Sequence, residues 1–335
     1  MVVGRENQSS RIKSRCRSAA TGAGTESSSA CKASKRPHAL SAVFLADLRA
    51  VWRSEFPRVF CLPTAFLRDL EEVYEADGAD DSSPEELDRL GARLDKWGRD
   101  CEERLRKARE KLHPDHPVKC PISLFRTMDL GRHEVAHTRA LAWLLDPRGE
   151  HGFENVLVNA LLGQVHCSGE QPAFYPDRVA AERFYRISEG EDAGRTDVWI
   201  EGRWGKSRGG GRGLVVIEAK IDALEGEGQL ARYNSEIAKW REEQRVDEGN
   251  VCRVFLTPAK GREASTGKHW KALSFSKLAR AFCDAADSLR NKPGHHYLRF
   301  YVAGVLKDIL GLPTGQSPAH RHPGRYALLK FLEES

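Results

Sequence analysis

Thr196-Asp-Val-Trp-Ile-Glu201 and Leu214-Val-Val-Ile-Glu-Ala-Lys220 are the two stretches that decide how this chain folds. Leu214 to Ile217 is a short, continuous apolar run after a glycine cluster, the pattern of a strand buried on both faces. Buried strands carry charge only where it is paired or binds a metal. Yet Glu218 and Lys220 follow the run directly, and Asp197 interrupts the apolar pattern of the first stretch. Strand side chains alternate, so residues two apart share a face, and the carboxylate and the ammonium project side by side from one edge of the sheet. A neighbouring strand carrying Asp197 completes the site. Two carboxylates can hold a hard cation through oxygen ligands, and an adjacent lysine can orient or deprotonate water and offset developing negative charge. The pattern points to metal-dependent hydrolysis of phosphodiester bonds.

Composition bounds the alternatives. A chain of 335 residues can bury one large core or two smaller ones. Hydrophobic content of 40% and the lack of an apolar stretch near the length of a membrane span predict a soluble protein. Its eight cysteines are scattered without Cys-x-x-Cys pairs or zinc spacing, which fits a reducing, cytoplasmic compartment. The net charge of +5 is mild but unevenly placed. Residues 1–38 hold eight Lys or Arg against Glu6 and Glu26, with almost no large apolar residues, and read as a disordered basic tail.

Residues 39–117 read as a helical N-terminal region, with Pro63 and Pro84 where helices begin. Glu85 to Lys111 is highly charged with sparse apolar positions, which suits a long exposed helix or a helical hairpin arm. His113-Pro-Asp-His-Pro117 breaks the chain as a Pro-rich linker. A helix follows over Arg132 to Leu145 and another over Glu154 to Leu162. Strands then read over Arg178 to Ile187, Thr196 to Glu201 and Leu214 to Ala219, with turn glycines at 190, 194, 202 and 209–211. Arg203, Lys206, Arg208 and Arg212 sit among glycines in the last connection; they read equally as a nucleic-acid phosphate contact or as a solvated hairpin tip. Glu227 to Glu243 is an amphipathic helix whose first turn aims Gln229 at the edge carrying Lys220. A strand over Val251 to Thr257 and helices over Ser276 to Leu289 and His295 to Leu310 complete the alternation, and residues 313–335 form a basic loop and a short helix. Read alone, Glu134 is a surface or helix N-terminal charge, and His137 and His151 are hydrogen-bonding residues that fix helix and loop geometry.

Asp197, Glu218-Ala-Lys220 and Gln229-Leu-Ala-Arg-Tyr233 together resemble the PD-(D/E)XK nuclease superfamily. The stretch Arg132-His-Glu-Val-Ala-His-Thr-Arg-Ala-Leu-Ala-Trp-Leu-Leu-Asp-Pro-Arg-Gly-Glu-His-Gly152 resembles the opening helix of a prokaryotic branch with an N-terminal Glu-x-x-His motif, often grouped with defence and mobile-element proteins. A bare Glu-x-Lys is a chance-level match, so order, spacing and strand or helix context carry the resemblance, which spans Leu124 to Leu310. It implies an α/β fold with a restriction-endonuclease-like core over 118–312, a mixed central sheet flanked by helices, with an added N-terminal helical region. It also implies that Glu134 joins Asp197 and Glu218 as a metal ligand, with the Ala219 carbonyl as a further candidate. Lys220 would position water and stabilise the transition state, and Gln229 would be an accessory site residue, with Tyr233 either accessory or packing. Thr196 stands where the superfamily's name has proline, which supplies neither ligand nor charge.

The implied activity is a Mg2+ (or Mn2+)-dependent deoxyribonuclease of endonuclease type, acting on DNA in defence or mobile-element biology. A homodimer for concerted duplex cleavage and partner proteins of a defence system are further expectations; a membrane is not. The alternative is a catalytically silent DNA-binding or sensor module with the same fold. A complete acid-acid-lysine set, which such a module does not need, favours the enzyme. RNA shares the metal chemistry and stays open.

Overall fold

A computed structural model of the chain describes residues 84–165, 172–185, 194–205, 211–223, 226, 228–258, 269–315 and 324–333. The basic tail, the helices expected before Pro84, and Lys206 and Arg208 lie outside them. Five strands form one mixed sheet in chain order: β1 (Phe174–Tyr185), β2 (Gly194–Trp204), β3 (Gly211–Ala219), β4 (Val251–Thr257) and β5 (Trp270–Ser274). β1, β2 and β3 run antiparallel as a meander, and β4 and β5 continue parallel to β3. The helices are α1 (Pro84–Lys111), α2 (Leu124–Thr127), α3 (Glu134–Leu145), α4 (Val156–Val165), α5 (Gln229–Gln244), α6 (Phe275–Ser288), α7 (His295–Gly304) and α8 (Arg325–Glu333).

Both faces of β3 are covered, as its unbroken apolar run requires. Leu214 and Val216 pack with Trp199 and Phe255 against Leu230, Tyr233, Ile237 and Trp240 of α5. Val215, Ile217 and Ala219 face the other way, into a larger core with Val198, Val254 and Leu256 and with apolar residues of α3, α4, α6 and α7. The sheet is thus the middle layer of an α/β sandwich, as expected of a restriction-endonuclease-like fold. Each fully buried aliphatic side chain contributes about 1.5–3 kcal/mol.

Several boundaries differ from those read in the sequence. β2 and β3 extend past the glycines taken as turns, and Gly202 pairs with Gly213 inside the ladder. A Cβ at Gly202 would strike the Tyr175 carbonyl and the Phe174 ring, and one at Gly213 would strike the Trp204 indole. These glycines admit neighbouring atoms instead of reversing the chain. β5 is five residues long with two exposed side chains, too short to leave an apolar signature. α7 ends in a π-helical turn over Val305–Ile309, so the last segment is not one continuous α-helix. α1 is a single 28-residue helix. It is not wholly exposed: Cys101 and Leu105 join the larger core, as do Leu328, Leu329 and Phe331 of α8, which packs against α1. Arg104 pairs with Glu333, and Arg325 lies 3.1 Å from Glu102 across that junction. Among the described residues, no helix is long and apolar enough to cross a membrane.

Ile237 is fully buried beneath the sheet, so Ile237→Ala leaves a cavity and is expected to cost about 2–5 kcal/mol. Urea unfolding followed by circular dichroism checks this; an unchanged midpoint would contradict the packing described.

Candidate active site

The β2–β3 ladder ends at the pair Val198 and Ile217. One step further, the same register sets Asp197 opposite Glu218 at the carboxyl end of β3. The Asp197 carboxylate takes over from the ladder there, its Oδ2 accepting the Ala219 N–H at 2.9 Å. Glu218 is fully buried, and its Oε1 accepts both from Lys220 Nζ at 2.7 Å and from Gln229 Nε2 at 2.7 Å. Its Oε2 is buried without a hydrogen-bond partner.

Two helices begin at this edge. His133 caps α3 through Ala136 N at 3.3 Å, which sets Glu134 in the first helical position. Glu134 Oε1 lies 3.3 Å from Lys220 Nζ, and its Oε2 accepts the Ile221 N–H at 3.0 Å. α5 opens after Gly228, whose φ of 63° suits glycine. Gln229 is therefore its first residue, and its Oε1 accepts from Gly226 N at 3.1 Å. Gln229 Nε2 also donates to Tyr233 Oη at 2.6 Å, and that hydroxyl donates to the Arg195 carbonyl at 2.6 Å. Tyr233 is thus both a core residue and the link between Gln229 and β2.

Burial dominates the electrostatics, and crowding of like charges adds to it. Burial, then the Asp197 carboxylate, pushes Glu218 up to about 8, against the pull of Lys220. Burial likewise raises Asp197, opposed by the Ala219 N–H. Burial disfavours the Lys220 ammonium, but Glu218, Glu134 and Asp197 outweigh it, and its pKa rises. Lys220 is therefore a protonated donor here; of the two roles considered for it, proton abstraction from water is the one this environment opposes.

The all-oxygen donor set suits magnesium or manganese, and the unpartnered Glu218 Oε2 is an acceptor with nothing to accept from. The carboxylate pair thus fits a hard cation. No three His, Cys, Asp or Glu side chains among the described residues converge as a metal cage. Glu134, the third acid of the expected set, stands beside the pair with its two oxygens engaged by Lys220 and by the Ile221 N–H.

Of the basic residues of the 203–212 connection, the two described ones, Arg203 and Arg212, are not brought to this site. Arg203 pairs in register with Arg212, six residues along β2 from Asp197, roughly 20 Å away at the other end of the hairpin. Arg203 is moreover held by Asp177 at 3.4 Å. Asp197 lies near the start of β2 and Glu218 near the end of β3, so Arg203 and Arg212 stand at the opposite end of the hairpin. His137 and His151 are structural, as read: His137 Nε2 bonds the Gly131 carbonyl at 2.9 Å, and His151 Nε2 bonds that of Trp143 at 2.8 Å. His116 caps a short turn through Val118 N, in keeping with a linker. The bond from the Ile221 N–H and the cluster of Arg139, Glu182 and Arg195 left no trace in the sequence, since neither has a motif.

A mixed sheet between helical layers, with acid, acid and lysine gathered at the carboxyl end of its middle strand, defines a nuclease core of the restriction-endonuclease type. Residues 123–302, more than half of the chain, match the family model of the PD-(D/E)XK nuclease superfamily, and the chain belongs to that superfamily. No curated protein and no solved structure gives a significant match.

A carboxyl group whose pKa is raised on folding contributes stability below its ordinary value and loses it as pH rises through the folded value, here from 4.5 to about 8. The cation-free protein in EDTA should therefore melt lower at about pH 8 than at about pH 5. Glu218→Gln, uncharged throughout, should flatten that profile. Magnesium at about pH 8 should raise the wild-type Tm by about 2–6 °C and the variant's much less. Superimposable pH profiles for the two proteins in differential scanning fluorimetry would contradict the crowded acid pair.

Proposed function

We propose that the chain is a magnesium- or manganese-dependent deoxyribonuclease that cleaves DNA internally. The observation that supports this best is the complete acid-acid-lysine set at one strand end, with a buried Glu218 oxygen lacking any partner in the protein. Asp197 and Glu218, with Glu134 beside them, would hold the cation, which when bound neutralises charge on the phosphodiester and lowers the pKa of water. Lys220, anchored by Glu218 and Glu134, presents a positive donor to the attacking water or to a phosphoryl oxygen as negative charge builds there. Gln229 fixes the free rotation of Glu218, and the Ile221 N–H fixes Glu134, so both carboxylates are positioned before substrate arrives. A role in defence or mobile-element biology rests on the α3 motif alone and belongs to the same proposal. Concerted cutting of both strands takes two such sites, supplied by a homodimer or by two binding events.

Supercoiled plasmid incubated with the purified protein should be nicked or linearised in magnesium and left intact in EDTA. Asp197→Asn, Glu218→Ala and Lys220→Ala should each slow cutting by about 10²-fold or more while circular dichroism stays native. Wild-type cutting rates in these variants would refute the assignment. Binding of DNA in EDTA with no cutting in magnesium would instead support a silent DNA-binding or sensor module.

A further inference from the structure

We propose that Arg139 and Arg195, tied together by the buried carboxylate of Glu182, form a clamp for the DNA phosphate backbone beside the acid-acid-lysine site. The clamp rests on the nuclease reading and adds to it a substrate-binding element at the end of the sheet that carries the acids.

Glu182 lies between the register pairs Ala181 with Val198 and Arg183 with Thr196, which sets it opposite Asp197. Its φ is 51°; of the described non-glycine residues with positive φ, the others (Asp129, Glu154 and Arg245) sit in turns or at a helix end, and Glu182 alone lies within a strand. A left-handed residue inside a ladder is strained, and a carboxylate only 8% exposed is costly unless its charge is matched. Matching comes from two guanidiniums that are themselves open to solvent. Arg139, 65% exposed, grips Oε2 through Nε and Nη2. Arg195, 42% exposed, brings Nη1 to 2.6 Å from Oε1. Exposed arginines gain little from an ion pair as such, so stability alone is a weak reason to keep a strained, buried acid beneath them. Fixing the orientation of two planar donors is a stronger one.

Glu182 Oε2 is taken by Arg139, while Oε1 faces Arg195 Nη1 as an ion pair and makes no hydrogen bond of its own. The group carries a net positive charge: two guanidiniums against one carboxylate. A guanidinium has five N–H donors, and the contacts to Glu182 use Nε and Nη2 of Arg139 and Nη1 of Arg195, leaving donors on each for phosphate oxygens. Both arginines stand on elements that also carry the acids. Arg139 is on the helix that opens with Glu134, and Arg195 is two residues before Asp197, about 7 Å along β2. The Arg195 carbonyl is also tied through Tyr233 to Gln229. A phosphate held by the pair would thus be held at a fixed offset from the site.

The test is the salt dependence of binding of fluorescein-labelled duplex DNA by the full chain in EDTA. Arg139→Gln and Arg195→Gln should each weaken binding about 5- to 10-fold and reduce the slope of log K against log[NaCl] by about 0.9, whereas loss of a purely structural ion pair lowers Tm and leaves the slope alone. Unchanged affinity and slope in both variants would overturn the clamp. A measurement on the unaltered chain needs no variant to fold: DNA should slow phenylglyoxal modification of Arg139 and Arg195 by about 3-fold or more but not that of Arg148, beyond the far end of α3. Equal modification with and without DNA would likewise overturn it. Plasmid cutting separates the two readings. Magnesium-dependent cutting with unaltered slopes removes the clamp alone, and reduced slopes without any cutting keep the clamp and remove the nuclease.

Discussion

Two carboxylates, Asp197 and Glu218, are forced to face each other inside a sheet that excludes water, and the local architecture is organised around that conflict. Neither is solvated, and the shift of Glu218 to about 8 expresses a penalty on the order of a few kcal/mol for ionising it there. The protein offsets the penalty with fixed dipoles and one cation: the Ala219 N–H on Asp197, and the Lys220 ammonium with the Gln229 amide on Glu218. Each of these partners is itself held. Gln229 is anchored by Gly226 and Tyr233, and Lys220 by a second carboxylate on another helix. Asp197 and Glu218 are thus held by partners that are themselves fixed, and the pair needs little reorganisation to receive a ligand.

The apolar layers make such placement reliable. Because β3 is buried on both faces, a shift of one residue in its pairing with β2 would turn Glu218 into the larger core and Ile217 toward α5, and the cores on both sides resist it. The facing glycines Gly202 and Gly213 further lock the distal half of the hairpin by admitting the Tyr175 backbone and the Trp204 indole. Register at the Asp197–Glu218 end is thus set by packing well away from the two acids.

The sequence made the centre legible and the periphery not. Leu214 to Ile217, the charged pair behind it and the amphipathic stripe of α5 are local signals with one dominant cause, hydrophobic burial, and they located the middle strand, Asp197, Glu218, Lys220 and Gln229. Glu134 depended on resemblance, because a lone acid at a helix start has many reasons to be there. That Arg203 and Arg212 stand at the hairpin end away from Asp197 and Glu218 could not be read, since distance along the chain hides which end of a hairpin a residue occupies. Glu182 reads as one more charge in a strand of mixed character; its left-handed backbone and its two arginine partners depend on tertiary contacts that no local pattern encodes. β5 was missed because five residues with two outward-facing side chains give periodicity too little to work on.

The bond from the Ile221 N–H to Glu134 alters how genetics at that position is to be interpreted. Glu134 closes off the first amide beyond the Glu-Ala-Lys tripeptide, and its other oxygen steadies the lysine. Truncating it removes a carboxylate, uncaps a strand terminus and takes away one of the two carboxylates that hold Lys220. A loss-of-function allele at 134 is therefore ambiguous by itself. Glutamine, which keeps an acceptor for the amide while discarding the charge, separates scaffolding from chemistry at a residue that ties α3 to the end of β3.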